Sequence, residues 1–274
     1  MNLDAHQHFW QYDPVQYPWI QPDWPLRRDF LPSDLEPLLR ANGFEGCIAV
    51  QARQTLEESR WLLRLADTSP AIKGVVGWAD LRSDALGRQL EELARHPKFR
   101  GVRHVVQDEP DDRFMLRPDF VRGISQLAAF GLAYDILIFP RQLPSAIKLV
   151  RMFPSQRFVL DHLAKPSIKD QILEPWRSQI VELAQFPNVF CKVSGMVTEA
   201  NPRGWTQPDF APYLDAVWEA FGPDRIMFGS DWPVCLLAGE YRAVFSIIDQ
   251  FLASVPPEAK SAVLGGTCAR FYQV

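Results

Sequence analysis

Short apolar runs rich in β-branched residues alternate along the chain with longer segments in which apolar residues recur every three or four positions. The short runs predict strands, and the longer segments predict amphipathic helices. A regular alternation of the two is typical of βα units, whose strands pair in parallel. The pattern predicts eight strands, at 2–9, 46–52, 72–80, 99–106, 132–139, 157–164, 189–195 and 226–234.

The helical segments carry start and stop signals of their own. SDLEPLLRANG has a predicted capping box of Ser33 and Glu36 and stops at Gly43, and TLEESRWLLRLAD repeats the box with Thr55 and Glu58. Further helices are predicted at 83–95, 119–130, 142–152, 175–185, 209–221, 240–253 and 257–270. Eight such units in 274 residues fit an α/β fold of the (β/α)₈ TIM-barrel type better than a doubly wound sheet, and we expect one domain over residues 1–274.

The connection after the first predicted strand, residues 10–32, differs from the others. It reads WQYDPVQYPWIQPDWPLRRDFLP, with five prolines that exclude a regular helix and five Trp or Tyr residues that make it too apolar for a free linker. In a (β/α)₈ barrel it would lie at the C-terminal face, where active sites of this fold are found. We interpret it as an aromatic, proline-rich lid, with a purely structural Ω-type loop as the alternative.

Composition and charge narrow the classes of function. Hydrophobic residues make up 47% of the chain and charged residues 23%, as in ordinary globular proteins. The formal net charge of −4, without blocks of like charge, argues against nucleic-acid and membrane partners. No apolar run reaches the ~18 residues that span a bilayer, and no secretory signal is recognisable. We therefore expect a cytoplasmic protein with a small-molecule partner.

The four cysteines indicate no chemistry. Cys47, Cys191, Cys235 and Cys268 are far apart, form no C-x-x-C pair and lie in or near apolar stretches. We expect them to be buried free thiols. The sequence also lacks the G-x-S-x-G, P-loop, G-x-G-x-x-G and H-E-x-x-H motifs, which excludes the functions that these motifs support.

Polar residues suited to catalysis fall near the ends of several predicted strands. His6 and His8 share one face of the first strand if that strand is regular. Arg103 and His104 lie in the fourth strand, Asp161 and His162 in the sixth, and Asp231 in the eighth. In a (β/α)₈ barrel the C-terminal ends of all strands surround one mouth. We therefore expect these side chains to converge.

Five short motifs lie in order along the chain: DAHQHFW at the start, GVRH at 101–104, VLDHLAKP at 159–166, KVSG at 192–195 and GSDWPV at 229–234. With these motifs the chain resembles the amidohydrolase superfamily, and within it the amidohydrolase family 2 branch. The resemblance extends along nearly the whole chain and is greatest to the sugar-acid lactonases that act on L-fucono- and L-rhamnono-lactones. It implies a hydrolase that opens a sugar-acid lactone to the aldonic acid.

Carried over residue by residue, the resemblance places His6, His8, His162 and Asp231 around the reaction centre. The superfamily usually adds a metal-binding histidine on the fifth strand, and this chain departs from that pattern because LAYDILIF contains Asp135 but no histidine. The resemblance therefore implies at most one divalent metal, zinc, held by His6, His8 and Asp231 with His162 as a further candidate. We expect this metal not to be essential.

Hydrolysis of a lactone requires a polarised carbonyl, a delivered water and a proton for the departing ring oxygen. We expect Asp231 to act as the general base that takes a proton from water and later returns it to the leaving oxygen. His162 would orient the water or the carbonyl. His6 and His8 would hold the metal as a Lewis acid or donate hydrogen bonds directly.

Further residues near the predicted strand ends are candidates for substrate binding. Aromatic side chains of the lid, such as Trp10 and Tyr17, offer flat faces that suit the C–H face of a deoxy sugar. Strand parity favours His104 over its neighbour Arg103 as the side chain that points into the barrel. The candidate substrate-binding residues are Gln51, Trp78, Asp80, Arg103, His104, Trp24, Lys192 and Trp232.

Three other functions stay open on the sequence. A metal-dependent decarboxylase of the same superfamily is disfavoured by the missing fifth-strand histidine. A lactonase for a dicarboxylated pyrone needs several arginines at the barrel mouth. A catalytically silent barrel that binds a sugar acid would have little need of convergent titratable groups. Loop arginines that the pyrone lactonase could use are Arg27, Arg28, Arg103, Arg113, Arg117 and Arg203.

Overall fold

All eight predicted strands are present in the computed structural model, which describes residues 1–274. They form one sheet in chain order, with every neighbouring pair parallel. The ring closes just beyond the last strand, where the Asp231 N–H donates to the His6 carbonyl at 2.8 Å and the His8 N–H donates to the Trp232 carbonyl at 2.7 Å. The strands are β1 Leu3–Gln7, β2 Gly46–Val50, β3 Ile72–Gly77, β4 Phe99–Val105, β5 Ala133–Leu137, β6 Phe158–Leu160, β7 Val189–Val193 and β8 Ile226–Phe228.

Helices follow the strands and cover the outside of the barrel, which confirms the (β/α)₈ fold. None of these helices is both long enough and apolar enough to cross a membrane. The four cysteines are buried and free, as expected. The helices are α1 Pro32–Ala41, α2 Leu56–Thr68, α3 Leu86–Ala94, α4 Pro118–Leu127, α5 Leu143–Met152, α6 Trp176–Ala184, α7 Met196–Glu199, α8 Gln207–Phe221, α9 Tyr241–Phe251, α10 Pro257–Ser261 and α11 Thr267–Tyr272.

The first two helices begin differently from each other. Thr55 caps α2 as predicted, because its hydroxyl accepts the Glu58 N–H at 3.2 Å. Glu58 does not complete the predicted box, since its carboxylate accepts the N–H groups of Ala52 and Arg53 instead. The predicted cap of α1 at Ser33 is wrong: the helix already begins at Pro32, and the carboxylate of Asp34 accepts the Leu31 N–H at 2.9 Å. Proline favours the first helical position because it has no N–H to satisfy, so the start moves upstream of Ser33.

Every strand ends earlier than predicted, and β6 and β8 are shortened most, each ending just before a candidate catalytic residue. β6 ends at Leu160 and β8 at Phe228, so His162 and Asp231 lie in the loops that follow and not on the strands themselves. The backbone turns sharply at both residues, with φ of 53° at His162 and 56° at Asp231. The apolar runs continue past these turns, which is why the hydrophobic pattern placed the strand ends too late.

The loop at residues 10–32 is packed, as its composition predicted. Trp10 and Phe30 exchange two backbone hydrogen bonds, of 3.0 and 2.9 Å. The side chains of Trp10 and Tyr17 are buried, and Trp232 is buried against Phe30, with ring centroids 5.2 Å apart. These three rings are therefore part of the core and present no free face to a sugar, contrary to the expectation, whereas Trp24 keeps part of its surface exposed.

Candidate functional site

A change of register in β1 turns both N-terminal histidines into the barrel. Between Asp4 and Gln7 the pairing with β2 shifts by one residue. The extra residue interrupts the alternation of inward- and outward-facing side chains. Ala5 contacts the apolar interior toward the N-terminal ends of the strands, and His6 and His8 face the interior toward the C-terminal ends. The carboxylate of Asp4 accepts the His6 N–H at 3.1 Å and supports this irregular backbone.

The four predicted catalytic side chains come together at this end of the barrel. The Nε2 atoms of His6 and His8 are 3.2 Å apart. Oδ1 of Asp231 lies 3.3 Å from Nε2 of His8 and 3.8 Å from Nε2 of His6. Nε2 of His162 lies 4.0 Å from the same oxygen. All four residues are at most 5% exposed, so the cluster is largely shielded from solvent.

Neighbouring groups orient the imidazole rings. Nδ1 of His8 lies 2.9 Å from the carbonyl oxygen of Val50, so this nitrogen carries the proton and Nε2 presents its lone pair to the cluster. Nδ1 of His162 lies 2.8 Å from the hydroxyl oxygen of Ser194. A Cβ atom at Gly195 would lie 2.6 Å from Nδ1 of His162, so glycine is needed for the ring to approach this closely.

The arrangement of His6, His8 and Asp231 fits a divalent metal. Two nitrogen atoms and a carboxylate oxygen that all carry lone pairs repel one another unless a cation or a proton lies between them. Zinc bound at ~2.0–2.1 Å by tetrahedral ligands separates those ligands by about 3.3 Å, which is close to the distances between the three atoms. Nδ1 of His6 can donate to Oδ1 of Asp161, 3.4 Å away, whereas Nη1 of Arg103 lies 3.2 Å from Nε2, so a metal at Nε2 would compete with this guanidinium.

A network of buried charges forms the floor beneath this cluster. Nζ of Lys192 lies 2.5 Å from the carboxylate of Asp135, 3.0 Å from that of Asp161 and 3.1 Å from Nδ1 of His6. Arg103 donates to the other oxygen of Asp161 at 3.0 Å. The two cations and two carboxylates balance, so Asp231 remains as the carboxylate whose negative charge a metal or a proton can neutralise.

The charges in the cluster set which groups are ionised at neutral pH. Burial favours the neutral carboxyl of Asp161, but Lys192, His6 and Arg103 outweigh burial and hold the pKa of Asp161 well below its usual range. Burial likewise opposes ionisation of Asp231, and the adjacent histidines reverse this, so the pKa of Asp231 lies below its usual value. Burial lowers the pKa of His162 to about 4. A carboxylate and a neutral imidazole therefore face each other near pH 7.

Arg103 and His104 point opposite to the prediction. Arg103 faces the barrel interior, whereas His104 bonds Glu109 at 2.7 Å and stacks on Phe114 outside the strand, with centroids 4.9 Å apart. The prediction is wrong because the alternation of side chains along a strand places Arg103 and His104 on opposite faces of the sheet but does not show which face lies inside the barrel. Val102 packs in the outer core, and its alternate neighbour His104 shares that face.

The other predicted binding residues divide between this cluster and its surroundings. Gln51 joins the floor, because its carbonyl and side-chain oxygens both accept hydrogen bonds from Arg103. Asp80 accepts the Arg82 N–H at 3.1 Å, a contact within its own turn. Lys192 is fully buried in the floor network and Trp232 in the core, while Trp24 and Trp78 are half-buried and make no polar side-chain contact with the cluster.

The sequence reasoning did not assign roles to Asp4, Asp135 and Ser194. Asp135 lies in the inward position of the fifth strand and binds Lys192, which is 57 residues away in the chain. Ser194 directly follows β7 and reaches His162 from there. The one feature of the sequence that could have indicated these three residues is their placement within or just after apolar runs.

Comparisons with known proteins cover the whole barrel. A family model described as amidohydrolase matches residues 3–274. The L-fucono-1,5-lactonase of Burkholderia multivorans is 44% identical over 99% of this chain and 96% of its own length, and that of Burkholderia ambifaria is 41% identical over 100% and 96%. The crystal structure of a Burkholderia multivorans amidohydrolase with bound zinc superposes with a TM-score of 0.96 at 43% identity, covering 100% of this chain and 99% of the other.

Proposed function

Because the chain belongs to the amidohydrolase family, we propose that it hydrolyses the lactone of a sugar acid, with L-fucono-1,5-lactone as the first candidate. The observation that carries this proposal is the convergence of His6, His8, His162 and Asp231 in one shielded cluster. The 44% identity to an L-fucono-1,5-lactonase supports the choice of substrate. The product would be the ring-opened aldonate, released together with one proton.

We propose that zinc is the metal of this site, held by Nε2 of His6, Nε2 of His8 and Oδ1 of Asp231. The spacing of these atoms and the zinc in the structure of a 43% identical relative support the assignment. When bound, the metal would supply a Lewis acid for the lactone carbonyl. Nε2 of His162 lies 4.0 Å from Oδ1 of Asp231, farther than Nε2 of His6 or His8, and His162 is assigned to the reaction itself.

Asp231 and His162 perform the proton transfers in this proposal. The ionised Asp231 accepts a proton from water as the water oxygen bonds to the carbonyl carbon. The bond between that carbon and the ring oxygen then breaks, and Asp231 returns the proton to the departing oxygen. Ser194 holds the neutral ring of His162, whose Nε2 faces Asp231 and can orient the water or the carbonyl oxygen.

The alternative pyrone substrate loses two of the six arginines considered for it. Two substrate carboxylates need free arginines at the barrel mouth. Arg103 is buried and already bound to Asp161 and Gln51, and Arg117 pairs with Asp119. A polyhydroxylated lactone without carboxylates makes no such demand.

The direct test is proton release, followed with a pH indicator, on a panel of L-fucono-, L-rhamnono- and D-galactono-lactones. We expect rapid hydrolysis of L-fucono-1,5-lactone. Because His6, His8 and Asp231 are spaced for a metal, we also expect loss of activity after chelation and recovery on adding zinc, in place of the non-essential metal expected from the sequence. No turnover across the panel would overturn the lactonase proposal, and tight binding of a lactone without turnover would indicate the silent binder. Full activity after complete removal of metal would overturn the zinc assignment alone.

A further inference from the structure

A polar cavity of about 560 Å³ opens beyond the C-terminal ends of β5, β6 and β7. It lies on the same face of the barrel as the catalytic cluster, because the loops that line it follow the strands that carry His162 and Ser194. Most of its wall is charged or hydroxylated. Its principal side chains are Phe139, Arg141, Lys165, Ser167, Lys169 and Glu199.

Two charged side chains in this wall have free hydrogen-bonding capacity. Nζ of Lys165 lies 3.5 Å from the carboxylate of Glu199, and the two side chains are only 18% and 22% exposed. Beyond this ion pair, neither the ammonium nor the carboxylate has a hydrogen-bond partner in the protein, and the ammonium lies 5.4 Å from the centroid of the Phe139 ring. Both groups keep some solvent exposure, so a polar ligand that enters the cavity can take the place of water around them.

Short backbone segments connect Lys165 and Glu199 to the residues of the catalytic cluster. Every residue from His162 to Lys165 has a left-handed conformation, with φ between 53° and 59°. Such residues cost about 1–2 kcal/mol each when they are not glycine, and strain of this kind collects at functional sites. Glu199 lies at the end of α7, which begins directly after Gly195, the residue that packs against His162.

The chemistry of the pair suits neighbouring hydroxyl groups. Each hydroxyl can both donate and accept a hydrogen bond, so one hydroxyl can accept from the ammonium while the next donates to the carboxylate. An ion pair of zero net charge also matches a lactone, which is neutral. The aromatic loop offers less, because Trp10 and Tyr17 are buried.

We propose that this cavity is the sugar subsite, in which Lys165 and Glu199 bind two adjacent hydroxyls of the lactone. The inference rests on the proposed lactonase function and adds the part of the site that selects a sugar. Lys165 and Glu199 thus determine specificity, while the carbonyl reacts at the cluster of His6, His8, His162 and Asp231.

The test compares a hydroxylated and an unsubstituted substrate in the full-length protein. We expect Lys165→Met to lower kcat/KM for L-fucono-1,5-lactone by about 10–100-fold, as for loss of a hydrogen bond to a charged group, mainly through a higher KM. The kinetics of δ-valerolactone, or its inhibition constant if turnover is too slow, should not change. Glu199→Gln should act in the same direction, and Lys165→Arg should restore most of the discrimination.

Lys148→Met is the matched control, since Lys148 is an exposed lysine on α5 outside the cavity. It should change neither substrate, and thermal unfolding shows whether each variant is folded. Equal losses for both lactones in Lys165→Met and Glu199→Gln, or no loss for either, would overturn the subsite. A wild-type protein that hydrolyses no sugar lactone would instead overturn the proposed function, so the two failures are distinguishable.

Discussion

The barrel interior has a lower half, at the N-terminal ends of the strands, and an upper half, at their C-terminal ends. The two halves differ completely in chemistry, although the same strands line both. The lower half is apolar, formed by side chains such as Ile48 and Met227 and closed by Phe271 of α11. The upper half holds the buried charges of Lys192 and Asp161 beneath the catalytic cluster. Removing apolar surface from water stabilises the fold, whereas burying charges costs free energy unless they are paired.

This difference assigns separate tasks to the two halves. The lower half stabilises the barrel, and the upper half arranges charges around His6 and His162. Substitutions in the lower half should therefore change stability alone, while substitutions in the upper half should change activity, with or without stability. The variants below test that separation.

The largest effect on activity is expected from Asp231→Asn. The amide has nearly the shape of the carboxylate but accepts no proton from water, so kcat should fall by about 10²–10⁴-fold. Proton release from the lactone measures the loss, and thermal unfolding should show a stable protein. A kcat near that of the wild type would refute the role of Asp231 as the base.

Lys192→Met should reduce both stability and activity. It leaves Asp135 and Asp161 without their shared cation, and breaking a buried ion pair lowers the free energy of unfolding by about 3–5 kcal/mol. His6 also loses its contact with Nζ at 3.1 Å, so kcat/KM should fall. Denaturant unfolding and the lactone assay measure the two effects.

Met227→Ala is the matched control in the lower half, since Met227 is also inward-facing and fully buried. It should lower the free energy of unfolding by about 2–5 kcal/mol through the cavity it leaves, with kcat unchanged. If Lys192→Met behaved like Met227→Ala, the floor network would be structural only, and the separation between the halves would not hold.

Gly195→Ala should affect activity through a single added methyl group. Both Gly195 and Gly131 have positive φ, of 61° and 66°, so alanine at either position should cost about 1–2 kcal/mol of backbone strain. Only at Gly195 does the new Cβ meet a neighbour, Nδ1 of His162 at 2.6 Å, while Gly131 has open space. We expect similar losses of Tm but a loss of kcat in Gly195→Ala alone. Equal activities of the two variants would contradict this role for Gly195.

The smallest effect on activity is expected from Glu58 of α2, outside the barrel interior, where the pH dependence concerns stability. Its carboxylate accepts the N–H groups of Ala52 and Arg53 at 3.0 and 2.7 Å, and burial raises its pKa from 4.5 to about 7. Between these values the unfolded chain has released the proton that the folded protein still holds. Stability from this group is therefore full below pH 4.5 and falls as the pH rises to about 7.

Glu58→Gln removes this titration and leaves the other groups in place. The wild type should lose stability relative to the variant as the pH rises from 5 to 8, which Tm measurements at intermediate pH values would show. Parallel profiles of the two proteins would mean that Glu58 ionises normally in the fold.

Much of the fold was predictable because strand and helix periodicities are local. The start of each strand was placed within one residue, for example at β2 and β7, and Thr55 was recognised as a cap. The errors in the predicted strand ends and strand faces lie where the backbone departs from regular strand geometry. The turns at His162 and Asp231 ended two strands early, and the phase of β4 was reversed at Arg103.

The sequence by itself determined the eight βα units, because residue types and their spacing within short segments are sufficient for them. It proposed His6, His8, His162 and Asp231 because their places at strand ends match the motifs of the family. Tertiary structure alone decided which strand faces point inward, since an extra residue in β1 leaves the hydrophobic pattern unchanged while it reverses the faces. It also decided which charges meet: the partners of Lys192 come from β5 and the end of β6, and only closure of the barrel brings them within bonding distance.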